Sequence, residues 1–77
     1  MKTLSVIMIE YTKKAEDISK SNGTAKVACL EGLRREWVEK INKLYEVGYI
    51  DLENWIDCKI RIDNTVNRWK LYKTPLF

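Results

Sequence analysis

Gly48-Tyr49-Ile50-Asp51 is the stretch that decides the fold of this chain. Gly48 is a helix-stop signal, because glycine takes the left-handed conformation of a helix C-terminus without steric penalty. Asp51 is a helix-start signal, because its carboxylate accepts from the unpaired N–H groups of a first turn. Tyr49 is placed to contact Leu44, the apolar contact that accompanies a glycine stop. Ile50 before the cap and Trp55 four positions inside suit a hydrophobic staple. A stop followed at once by a start predicts an antiparallel helical hairpin.

Working outward, both arms repeat apolar residues at alternating three- and four-residue steps. The arm before the turn, about 25–47, has a seam of Val27, Leu30, Arg34, Trp37, Ile41 and Leu44, widened by Leu33, Val38 and Tyr45. The arm after it, about 52–73, has a seam of Leu52, Trp55, Lys59, Ile62, Val66 and Trp69, flanked by Ile56. Pro75 ends regular structure. Residues facing each other should have numbers summing to roughly 99 at 1.5 Å rise per residue. That register sets Leu44 against Trp55, Trp37 against Ile62 and Leu30 against Trp69. Arg34 and Lys59 interrupt the seams. Either their stems pack and their heads reach water, or Arg34 pairs with Asp63 and Lys59 with Glu39 across the hairpin. Glu31/Arg35, Glu36/Lys40, Glu39/Lys43 and Asp57/Arg61 read as solvated faces with acid-first pairs at spacing four.

Further out, Leu4, Ile7, Met8, Tyr11, Ala15 and Ile18 form one helical stripe over about 4–20. Val6-Ile7-Met8-Ile9 also suits a strand, but no second strand-like run exists to pair with it. Ser21-Asn22-Gly23 ends this helix, with Gly23 available for a left-handed stop, and Thr24 or Asn22 caps the next. The expectation is an all-α, three-helix single domain over residues 1–77, its N-terminal helix covering the hairpin.

Seventy-seven residues, 45% apolar and 32% charged, make ordinary globular composition for one small domain. The hairpin register places Cys29 about twelve residues from Cys58 along the partner helix, on the order of 18 Å. A disulfide needs Cα atoms within roughly 7 Å. Both cysteines therefore read as thiols of a reducing cytoplasm. The apolar run after Met1 is short, Glu10 ends it, and no small-residue cleavage site follows, which argues against a secretion signal. Nothing approaches the ~18 apolar residues of a membrane span. The net charge is +3. Residues 1–56 balance, and the excess lies in Lys59, Arg61, Arg68, Lys70 and Lys73 against Asp57 and Asp63.

The chain has no histidine, the commonest general base and metal ligand. Two distant cysteines without one make no zinc site, and Glu36 with Glu39 reads as surface. The expectation is a non-enzymatic protein without metal or cofactor. Lys20-Ser21-Asn22-Gly23-Thr24-Ala25-Lys26 is the most site-like loop. Lys20 and Lys26 would supply charge to an anion, Gly23 close approach and Thr24 a hydrogen bond at a helix N-terminus. The stretch lacks the second glycine and the Gly-Lys-Ser/Thr ending of a phosphate loop, and an ordinary connection is the plainer reading. Arg61, Asn64, Asn67, Arg68, Lys70, Tyr72 and Lys73 suit phosphate contacts and base stacking. Asp57 and Asp63 interrupt them, and the hairpin is a poor helix-turn-helix.

Val6, Ile9, Ile60, Leu71, Leu76 and Phe77 lie off the seams. With the small size, they point to a homo-oligomer or a partner-bound protein. The sequence is thus read as a small helical interaction protein, a regulator, inhibitor or adaptor of the size common among phage and mobile-element accessory proteins. It would bind a protein partner through Ile60, Arg68, Leu71, Tyr72, Lys73 and Phe77. The alternative is binding of a phosphorylated ligand such as a nucleotide, or of nucleic acid, through the Lys20–Lys26 loop or the basic C-terminal helix.

Overall fold

A computed structural model describes residues 3–21 and 23–71. Helix α1 spans Leu4–Ser21, a 3₁₀ turn Gly23–Ala25 follows, and helices α2, Lys26–Glu46, and α3, Leu52–Leu71, form the hairpin. There is no strand among the described residues. Tyr11 meets Glu36, while Glu31 meets Lys70, so the three helices run up, down and up.

The turn closes as its residues dictate. Gly48 has φ 78°, and its N–H donates to Tyr45 O at 3.0 Å while Tyr49 N–H donates to Leu44 O at 2.9 Å. This is the paired bonding of a Schellman stop, which satisfies two carbonyls that α2 would otherwise leave open. Asp51 Oδ1 then accepts from Asn54 N–H at 2.8 Å, capping α3. Ile50 is buried, and Trp55 packs against the same core.

The start of α2 differs from expectation. Its N-cap is Ala25, at φ −83° and ψ −1°, without a side-chain cap bond. Thr24 does not cap, because the 3₁₀ turn leads into the helix already in right-handed geometry, and a capping side chain needs an extended backbone at that position. Gly23 opens that turn. Asn22 lies outside the described residues.

The core is one cluster. It joins Ile7, Tyr11 and Ala15 of α1, Leu30, Leu33, Trp37, Ile41 and Leu44 of α2, and Cys58, Ile62 and Val66 of α3, with Ile50 from the turn. Trp37 is fully buried and stacks on Tyr11 at 5.7 Å between ring centroids. Its indole N–H has no hydrogen-bond partner. Ser19, also buried, satisfies its hydroxyl by donating to Glu16 O at 2.9 Å.

Cross-hairpin contacts follow the expected register. Trp55 Nε1 donates to Asn42 Oδ1 at 2.8 Å, Tyr45 stacks on Trp55 at 4.9 Å, Arg34 reaches Asp63 at 3.4 Å and Lys70 pairs with Glu31. Each pair of numbers sums to about 99, as 1.5 Å per residue requires. Three details depart from the reading above. Lys59 does not meet Glu39; its ammonium sits over the Trp55 ring at 4.4 Å, where the ring quadrupole attracts it. Val27, Leu52 and Ile56 are about half exposed, because each lies past the edge of the strip that the neighbouring helices cover. Glu31 turns to Arg34 at 2.7 Å and to Lys70, and not to Arg35. Glu36 accepts from Tyr11 Oη at 3.2 Å. Asp57 and Arg61 do pair, at 3.0 Å.

Candidate functional site

The residues left outside this core define two surfaces. The first is the hairpin tip. Tyr45, Val47, Tyr49, Leu52 and Ile56 are each between 37% and 58% exposed, and all lie within one stretch around Gly48. The tight stop forces this: a Schellman turn spends its polar backbone on closure, and only Ile50 of the four turn residues points inward.

The second surface is a groove of about 660 Å³ between α1 and α3. Met8 and Ile9 give it an apolar patch; Lys13, Arg61 and Arg68 give it positive charge, with Asn64 and Thr65 between the two arginines. Arg61 and Arg68 lie seven residues apart, two turns of one face. Glu16 lines the same groove but is held by Lys20 at 2.9 Å, and Arg61 is held by Asp57. Toward the tip the groove continues past Leu4, Ser5 and Asn54.

Charge is sorted along the bundle, which the linear sequence conceals. Residues 3–12 and 36–58 pack together toward the tip end. They hold Glu10, Glu36, Glu39, Glu46, Asp51, Glu53 and Asp57 against Lys40 and Lys43. Even counting Lys2, which precedes them in sequence, that end stays acidic. The other end gathers residues 13–35 and 61–71, where nine Lys and Arg outnumber Glu16, Asp17, Glu31 and Asp63. The apparent balance of residues 1–56 therefore mixes two opposite poles.

Of the interface expected from sequence, Ile60 and Leu71 are 54% and 81% exposed on α3. Arg68 lines the α1–α3 groove. Tyr72, Lys73 and Phe77 lie outside the described residues. Of the basic C-terminal candidates, Arg61, Asn64 and Arg68 share the groove, while Lys70 is tied to Glu31 on the opposite side of α3. In the Lys20–Lys26 loop, Lys20 is engaged by Glu16 and Thr24 makes no cap.

Electrostatics follow the contacts. The Lys70 ammonium, then Arg34, holds the Glu31 carboxyl below its ordinary value. The Glu31 carboxylate, with Asp63 adding, raises the Arg34 guanidinium. Burial, then Glu36, raises the Tyr11 phenol. Burial also raises the Cys58 thiol; Cys29 and Cys58 are unbridged. No group of three or more His, Cys, Asp and Glu converges among the described residues, and none of their helices is long and apolar enough to cross a membrane.

Sequence reasoning missed the tip as a surface because it assigned Tyr45, Leu52 and Ile56 to the seams. The available signal was the lack of any Lys or Arg between Lys43 and Lys59. No family model, curated protein or solved structure matches this chain.

Proposed function

We propose that this protein is a small, non-enzymatic helical interaction module, a regulator, inhibitor or adaptor that occupies the surface of a partner protein and associates with itself. The carrying observation is the apolar hairpin tip. Soluble monomers rarely concentrate large apolar side chains in this way away from a contact site. Aromatic residues such as Tyr45 and Tyr49 are common interface anchors.

Covering five half-exposed side chains contributes on the order of 4–7 kcal/mol before costs, taking half of full burial for each. Association itself costs about 4–15 kcal/mol. The tip alone therefore makes a weak contact, and complementary charge must add to it. The test is affinity capture with wild type and with Tyr49→Ser/Leu52→Ser as baits. The same partner should be retained by wild type and by Ile60→Ser and lost by the tip variant. Equal recovery by all three baits rejects the tip as the contact.

A phosphate-bearing ligand is the second reading, supported by the convergence of Lys13, Arg61, Asn64 and Arg68. Polynucleotide affinity would then fall steeply with salt and drop with Arg68→Ala. An affinity indifferent to both rejects it.

A further inference from the structure

We propose that a second copy of this chain is the occupant of the α1–α3 groove, seating its hairpin tip there in a head-to-tail contact. The contact deepens the self-association proposed above and rests on it. Two features of the molecule fit each other. The tip is apolar with an acidic rim: Val47, Tyr49 and Leu52 are exposed beside Glu46 and Glu53. The groove is the reverse, an apolar patch of Met8 and Ile9 flanked by Lys13 and Arg68. Ile9 is 69% exposed there, so the groove also has apolar surface to cover. Opposite charges across such a contact orient the partners and suppress like-on-like pairing. Tip against tip would oppose carboxylates, and groove against groove would oppose cations.

A polyanion is the poorer occupant, because a carboxylate already stands in the groove and one of its arginines is already paired. Glu16 lines it, and Arg61 is already paired with Asp57. A tip brings side chains to cover Ile9 as well as charge, which a phosphate backbone does not. Because the two surfaces differ, the contact is heterologous and propagates into a ring or a chain of copies.

The test is sedimentation equilibrium on the full chain, using Glu46→Lys at the tip and Arg68→Glu in the groove. Both positions are exposed. Glu46 ends α2, where a lysine suits the helix dipole better than a glutamate, so lost assembly in that variant is not lost folding. Lys13→Glu, in mid-α1, repeats the groove test without touching a helix end. Circular dichroism verifies that each variant keeps its helicity. Wild type is expected heavier than 9.1 kDa at high micromolar concentration, lighter as salt rises. Each single variant should associate at least about tenfold more weakly. An equimolar mixture of Glu46→Lys and Arg68→Glu should recover assembly, since the native tip of one meets the native groove of the other.

If wild type and all variants assemble equally, this contact is wrong while self-association stands. If each variant is monomeric but the mixture stays so, direct tip-to-groove pairing is overturned. If wild type remains at 9.1 kDa, both the contact and the self-association fall, while the partner-protein and phosphate readings stand on their own tests, affinity capture and salt dependence.

Discussion

The two chain reversals of this protein are built in opposite ways. Between α2 and α3, every step is bonded locally: Gly48 in the left-handed region, Tyr49 and Gly48 closing onto α2, Asp51 opening α3. Between α1 and α2, the 3₁₀ turn leads into a helix whose N-cap makes no side-chain bond. The first reversal is specified by the residues that make it. The second is held by what flanks it, through Tyr11 stacked on Trp37 and bonded to Glu36. Both reversals are placed by their own residues, at Ser21-Asn22-Gly23 and at Gly48, but only the one with its own caps has its bonding legible in sequence.

This contrast breaks most severely at Trp37, which both halves share. Trp37→Ala should cost about 3–5 kcal/mol in urea unfolding, the usual loss for a buried tryptophan. The loss should appear as one transition. Two separate transitions would mean that α1 and the hairpin fold independently. Gly48→Ala comes next. Nothing lies within 4 Å of an added Cβ there, so the cost is that of the left-handed backbone alone, about 1–2 kcal/mol. A neutral result would show that the turn relaxes into another closure.

The sharpest comparison pairs Asp51→Ala with Thr24→Ala. Loss of the Asp51 cap should cost about 1 kcal/mol. Thr24→Ala should stay within about 0.5 kcal/mol, as an exposed residue without a capping bond. Equal losses at both positions would erase the distinction between the two reversals.

The smallest effect lies in the charged chain across the hairpin, where Asp63, Arg34, Glu31 and Lys70 link α2 to α3. The folded state lowers the Glu31 carboxyl, so it binds fewer protons there than when unfolded. Its contribution is present above the ordinary glutamate value of about 4.3 and is lost as pH falls through the lower folded value. Glu31→Gln should therefore flatten the acid limb of the stability curve below about pH 4.3 and leave its alkaline limb unchanged. An unchanged acid limb would assign the link no net role. The side chains are solvated, so the difference should be slight.

Much of the fold was legible in particular residues. The period of Leu30, Trp37, Ile41 and Leu44 identified the buried face of α2, and the register around Gly48 placed Arg34 opposite Asp63, its observed partner. The candidate site was far less legible. Arg68 had to be placed on a groove that needs α1 to exist, and Lys70, beside it in sequence, turned to the other side of α3 to meet Glu31. Leu52 and Ile56 fit an apolar period, yet period alone does not say how wide a strip the neighbouring helices cover.

By itself the sequence determined the helices, the stop at Gly48, the cap at Asp51 and the hairpin register, because each depends on residues within a few positions or on a fixed rise per residue. Only the tertiary structure decided that an acidic apolar tip and a basic groove stand at different places on one bundle. That arrangement depends on which ends of three helices are packed side by side, and charge adds up by position in space, not by position along the chain.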